Sequence, residues 1–172
     1  KYFGIHQRTI TFTRSITESI PLIFQSLGNR LQGTILVSES FFSHFPEGES
    51  LNRLQIETLP NYIAADTLED LPSDVSALFL SAVDLVSGQR NPLENLSGKC
   101  RDRGILLILD ATFLLGALNS DLMENGLADI VVAETNRWLL GPEEVCLLYF
   151  PLKRLESPVL PSTGNLGCLY RS

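Results

Sequence analysis

Short apolar runs alternate with segments of helical spacing along most of the chain. Runs rich in β-branched and aliphatic residues mark strands near Thr9–Thr13, Thr34–Ser38, Leu54–Thr58, Ala77–Val83, Ile105–Leu109, Ile130–Ala133 and Val145–Phe150. After the first, Ile16, Ile20, Ile23, Phe24, Leu27 and Leu31 recur at helical spacing. Ser15 and Glu18 stand at the separation of a capping box, and Pro21 is expected to delay or kink the start of this helix. A second helix runs from Leu93 to Arg103, opened by Pro92 and closed by Gly104. A shorter one covers Ser120–Asn125, with Gly126 ending it. Such alternation predicts an α/β fold of three layers, α/β/α, around a mainly parallel sheet. The last two strands are joined by little more than a Gly-Pro turn, which suits antiparallel neighbours and not a crossover.

Composition narrows the function class. The 172 residues are expected to form a single domain, 1–172, and 44% hydrophobic with 19% charged content fits a folded chain. A net charge of -7 argues against a nucleic-acid surface or a polybasic membrane patch. No apolar run is long enough to span a bilayer, and no signal-peptide pattern opens the chain. Cys100, Cys146 and Cys168 are odd in number and lack Cys-x-x-Cys spacing, so they read as free thiols of the cytoplasm or another reducing compartment. The first residue is Lys1, which is expected of a segment cut from something longer.

Two motifs carry the chemistry. Asp110 ends the apolar run Leu106-Leu107-Ile108-Leu109, and downstream comes Glu134-Thr135-Asn136-Arg137-Trp138-Leu139-Leu140-Gly141-Pro142. Together they resemble the core of the class V aminotransferase group of fold-type-I pyridoxal phosphate (PLP) enzymes, which includes kynureninases, cysteine desulfurases and isopenicillin N epimerase. The resemblance runs from about Thr9 to Phe150 and implies the large domain of a PLP-dependent transferase. That domain has a seven-stranded sheet with one antiparallel strand; the N-terminal arm and the C-terminal small domain of the group are expected to be lacking. The small domain normally supplies the arginine that grips the substrate carboxylate.

In this group the strand-end aspartate, here Asp110, holds the pyridine nitrogen. The first turn, here Ser15, Ile16 and Thr17, holds the phosphate, although taken alone it also reads as a plain helix cap. A phenylalanine stacks on the ring; Phe45 inherits that position, with Phe42 as the alternative register. Other positions depart from the pattern. Leu85 replaces an asparagine, Phe113 a His or Gln, Glu134 a phosphate-contacting serine, and Asn136 a histidine. Glu144 and Cys146 replace the later glycines of Gly-Pro-x-Gly-x-Gly, and Arg137 stands where the Schiff-base lysine should be. His6 and His44 lack acidic or thiol partners at catalytic spacing and read as structural or solvated.

A guanidinium stays protonated and cannot become the free amine that attacks an aldehyde. The expectation is therefore a degenerate, non-catalytic class V-like domain acting as a structural or dimerisation module, with no catalytic residue, no metal and no cofactor. Ser15, Ile16, Thr17, Phe45, Asp110 and Arg137 would be vestiges of the cofactor site. One alternative is an enzyme that still binds PLP non-covalently through Asp110, Phe45 and the first turn. Another is a repurposed small-anion pocket with Arg137 as its clamp. Expected partners are a second copy, a PLP-fold paralogue or the rest of a larger protein, and neither nucleic acid nor membrane. Arg137 is further expected to enter the vacated space and form an internal ion pair with Asp110 or Glu134.

Overall fold

The computed structural model describes residues 10–45, 55–64, 67–68, 71–118, 122 and 126–150. The seven apolar runs become strands β1 (Ile10–Thr13), β2 (Thr34–Ser38), β3 (Gln55–Leu59), β4 (Val75–Ser81), β5 (Leu106–Asp110), β6 (Ile130–Glu134) and β7 (Cys146–Tyr149). They form one seven-stranded sheet in the order β1-β7-β6-β5-β4-β2-β3. Neighbours pair in parallel except for β7, which is antiparallel to both β6 and β1, as the short Gly-Pro connection predicts.

Successive residues of a strand face opposite sides, and the apolar positions divide accordingly. Ile35, Val37, Ala77, Phe79, Ile108, Ile130, Val132 and Leu148 pack on one face with Ile16, Ile20, Ile23 and Leu27. Leu36, Leu78, Leu80, Leu107, Leu109, Val131, Ala133 and Leu147 pack on the other with Leu93, Leu96 and Cys100. The helices that cover these faces are α1 (Ile16–Leu27) and, past the single-turn α2 (Glu39–Phe42), α3 (Leu93–Asp102). The sheet is thus buried on both sides, which is why its central strands read as continuous apolar runs.

Helix α1 starts at Ile16 despite Pro21 inside it, so the proline does not delay the start. Pro21 and Thr17, whose carbonyl loses its helical donor there, are both exposed and open to water. The helix stops at Gly28, which has a φ of 47°, and Leu31 lies beyond it as a buried residue of the connection. The Ser120–Asn125 helix lies almost wholly outside the described residues, as do His6 and Cys168.

The β6–β7 connection is tied down by Thr135. Its N–H donates to Val145 O (2.9 Å), its hydroxyl lies 3.1 Å from Pro142 O and 3.0 Å from Val145 O, and its carbonyl accepts from Gly141 N–H (2.9 Å). A Cβ at Gly141 would overlap the Thr135 side chain, so glycine is required there. Glu144 has no such excuse: its φ of 56° is left-handed, at a position where the group's motif carries glycine. Left-handed backbone costs a non-glycine residue about 1–2 kcal/mol. The ion pair of Glu144 with Arg14, at 3.6 Å with both side chains 77% exposed, offsets little of that. Glu144→Gly is therefore expected to raise stability by about 1 kcal/mol in urea denaturation; a lower midpoint would mean the Arg14 pair outweighs the backbone strain.

Candidate functional site

The strand order gathers the ends of β1, β2, β4, β5 and β6, and the start of antiparallel β7, on one edge of the sheet. In an open parallel sheet this carboxyl edge is where ligands bind. Asp110 stands there beside Ser81 of β4, and Thr13, Cys146 and Glu134 align across β1, β7 and β6.

Asp110 is 6% exposed, and its Oδ1 accepts from Thr112 N–H at 2.9 Å. The Thr112 hydroxyl accepts in turn from Glu134 N–H at 3.0 Å, so one threonine bridges the two carboxylate-bearing strand ends. Burial pushes the Asp110 carboxyl above its ordinary value; the Thr112 bonds and the charge of His44 pull it back, and Glu134 adds to the rise. His44 lies at the edge of the Phe41 ring.

Beneath this edge lies a buried polar group that the sequence did not signal. Thr13 Oγ1 and Ser19 Oγ are 2.7 Å apart, and Ser19 Oγ donates to Cys146 Sγ at 3.8 Å. Cys146 is buried, and desolvation raises its thiol, as it does that of Cys100, which is pushed up to about 12. Both are inert thiols at neutral pH. On the other side of Asp110, buried Asn91 braces the edge by donating to Ser81 O and Asn61 O and accepting from Ile63 N–H.

The phosphate-turn residues have clear geometry. Ser15 caps α1, its hydroxyl accepting from Glu18 N–H at 3.1 Å, while the Glu18 carboxylate takes Arg14 N–H at 2.6 Å. The capping box leaves the N–H groups of Ile16 and Thr17 free of its bonds; the Ile16 side chain is buried and Thr17 is exposed. Phe45 is 9% exposed and sits edge-on to Phe24, Phe41 and Phe79, inside the core. Phe42 stacks on Phe45 at 5.7 Å and is 45% exposed, so it is the ring of the pair available at the surface. Leu85 is exposed on the turn after β4.

Arg137 does not point into the core. Its Nε lies 4.0 Å from Glu134 Oε2, its guanidinium sits 5.6 Å from the centre of the Phe113 ring, and its side chain is 53% exposed. The expected ion pair with Glu134 is therefore a half-exposed one at the mouth of the site, and not internal. An arginine stem on an exposed segment can reach an aromatic face without desolvating its charge, whereas burial beside Asp110 would remove both charges from water.

A model of the aminotransferase class-V family matches residues 1–168. The chain belongs to that family. No curated protein matches. Solved structures of similar fold include an apo cysteine desulfurase from Thermococcus onnurineus NA1, with a TM-score of 0.71 and 17% identity over 88% of this chain and 40% of that one. A NifS-like protein matches with a TM-score of 0.73 and 18% identity, over 93% of this chain and 46% of that one. Pyridoxamine-pyruvate aminotransferase from Mesorhizobium loti matches with a TM-score of 0.67 and 18% identity, over 89% and 42%. The chain spans less than half the length of each of these. The fold is that of a PLP-dependent transferase large domain.

Against that family's cofactor, the donor set divides. A strand-end carboxylate and a helix-opening turn with spare amides suit a pyridinium and a phosphate. A guanidinium at position 137 and a carboxylate at position 134 do not suit an aldehyde and a phosphate dianion. Arg137 cannot supply the neutral amine that a covalently held aldehyde requires.

The raised Asp110 carboxyl has a measurable consequence. A group that titrates higher in the folded than in the unfolded chain contributes stability that is complete below the unfolded value, about 3.9 for aspartate, and is lost as pH rises through the folded value. Asp110→Asn keeps an acceptor for Thr112 N–H but cannot ionise. Denaturation curves of variant and wild type should converge in acid and separate towards neutral pH, with the variant the more stable. A gap that does not change with pH would contradict burial as the cause.

Proposed function

We propose that this class-V domain has lost the family's chemistry and serves as an interaction module, pairing with a second PLP-fold chain. The carrying observation is Arg137. In the position the resemblance gives to the Schiff-base lysine stands a permanently charged side chain, held between Glu134 and Phe113. Lysine supplies a nucleophile only as a neutral amine, which a guanidinium never offers.

The interaction role is supported by the same edge of the sheet. Leu85 and Val86 follow β4, Leu118 follows β5, and Trp138 and Leu140 follow β6; all are more than half exposed, Val86 and Leu140 at 90% each. Large apolar side chains gathered on one rim are the mark of a contact surface. Leu140 also has a left-handed φ of 54°, a cost that a free surface loop gains nothing by bearing. A second reading, PLP bound without a covalent bond, draws on the buried Asp110 and the spare amides of the first turn.

Two measurements test the proposal. Protein produced with excess PLP and then dialysed is expected to show no cofactor absorbance, and Arg137→Lys alone should not give turnover; cofactor retained by the wild type would favour the second reading. Leu140→Asp places a charged residue that tolerates left-handed backbone on the rim. It should leave the melting curve intact and weaken assembly in sedimentation by about tenfold or more. Unchanged assembly would exclude this rim as the interface.

A further inference from the structure

We propose that Glu134 acts as an internal mask on Arg137, and that this masking makes the mouth of the Asp110 site reject phosphorylated and other anionic ligands. The inference rests on the reading above that the chain does not use PLP, and it names the cause: a charge balance at two residues, separable from the missing lysine.

The geometry is local and complete. Glu134 ends β6, and its backbone N–H is held by the Thr112 hydroxyl, so its side chain leaves the sheet beside Asp110. Arg137, three positions on, returns over the same mouth, with its Nε 4.0 Å from the Glu134 carboxylate and its guanidinium over Phe113. Phe113 follows Thr112, whose amide binds Asp110, so the ring holds the guanidinium over the loop that leaves the Asp110 strand. The side chains of Glu134 and Arg137 are 32% and 53% exposed, enough for a small ligand to meet both. An incoming phosphate meets a guanidinium already paired with the Glu134 carboxylate, so the mouth offers no net positive charge to hold it.

Removing one charge reverses it. Glu134→Gln keeps the side-chain volume and leaves Arg137 on its aromatic platform with no carboxylate partner. An arginine without a carboxylate partner is a good phosphate ligand. The mask would therefore be the specificity determinant of this site, and the arginine a latent anion clamp beneath it.

Trp138, the single tryptophan of the chain, adjoins Arg137 and is 55% exposed, so its fluorescence reports directly on this mouth. The experiment titrates wild type, Glu134→Gln and the double variant Glu134→Gln/Arg137→Ala with inorganic phosphate and, separately, with PLP. Each protein is first checked for an unchanged melting curve. Wild type should give no saturable change, Glu134→Gln should bind phosphate about tenfold or more tightly than wild type, and the double variant should lose that binding. Phosphate binding by Glu134→Gln with a similar gain for PLP marks a general anion clamp, while a gain for PLP alone would implicate the ring and overturn the charge argument. Saturable PLP binding by wild type would sink the functional reading. No gain in Glu134→Gln, with wild type still silent, would sink only the mask. Gain that persists in the double variant would also overturn it, because the clamp would then not be Arg137.

Discussion

Parallel pairing of β4, β5 and β6 brings Ser81, Asp110 and Glu134 to one edge of the sheet, and the rest of the site is built outward from that alignment. A parallel strand delivers its carboxyl end to the same side as its neighbours, so each following loop opens beside the others. Antiparallel β7 completes the arrangement from the opposite direction: its first residue, Cys146, meets Glu134 on one side and Thr13 on the other. The first turn, the buried aspartate and the arginine loop are far apart in the chain and adjacent in space for this reason alone.

Electrostatics at that edge is set by burial more than by number of charges. Asp110 is out of water and is supported mainly by Thr112, so it ionises with reluctance. Glu134 and Arg137 stay at the mouth, where their attraction is partly screened and their contribution to stability is small. The same pair still matters to a ligand, because a small anion has to approach within the range at which both charges are felt. Stability and selectivity thus draw on different members of one cluster.

The β6–β7 connection holds one backbone shape against the preference of one of its residues. Gly141 remains where a Cβ would strike Thr135, and the bonds of Thr135 hold the loop in one shape. That shape asks residue 144 for a left-handed φ whatever its side chain, and here the residue is glutamate. Cys146, two residues on, is packed and not strained: its sulfur fills buried space beside Ser19.

The amino-acid sequence by itself determined the seven strands, the antiparallel last strand, the capping box at Ser15 and Glu18, and the position of Asp110 at a strand end, because each follows from local periodicity or spacing. Tertiary structure alone decided which side chains meet. Phe45 joins the core while Phe42 faces outward, because of how α2 settles over β2 and β4. Arg137 stops at Glu134 and Phe113, without reaching Asp110, because an exposed loop lets the guanidinium keep its water. Periodicity fixes which face of an element is apolar; the direction of a long charged side chain depends on neighbours that only the folded sheet supplies.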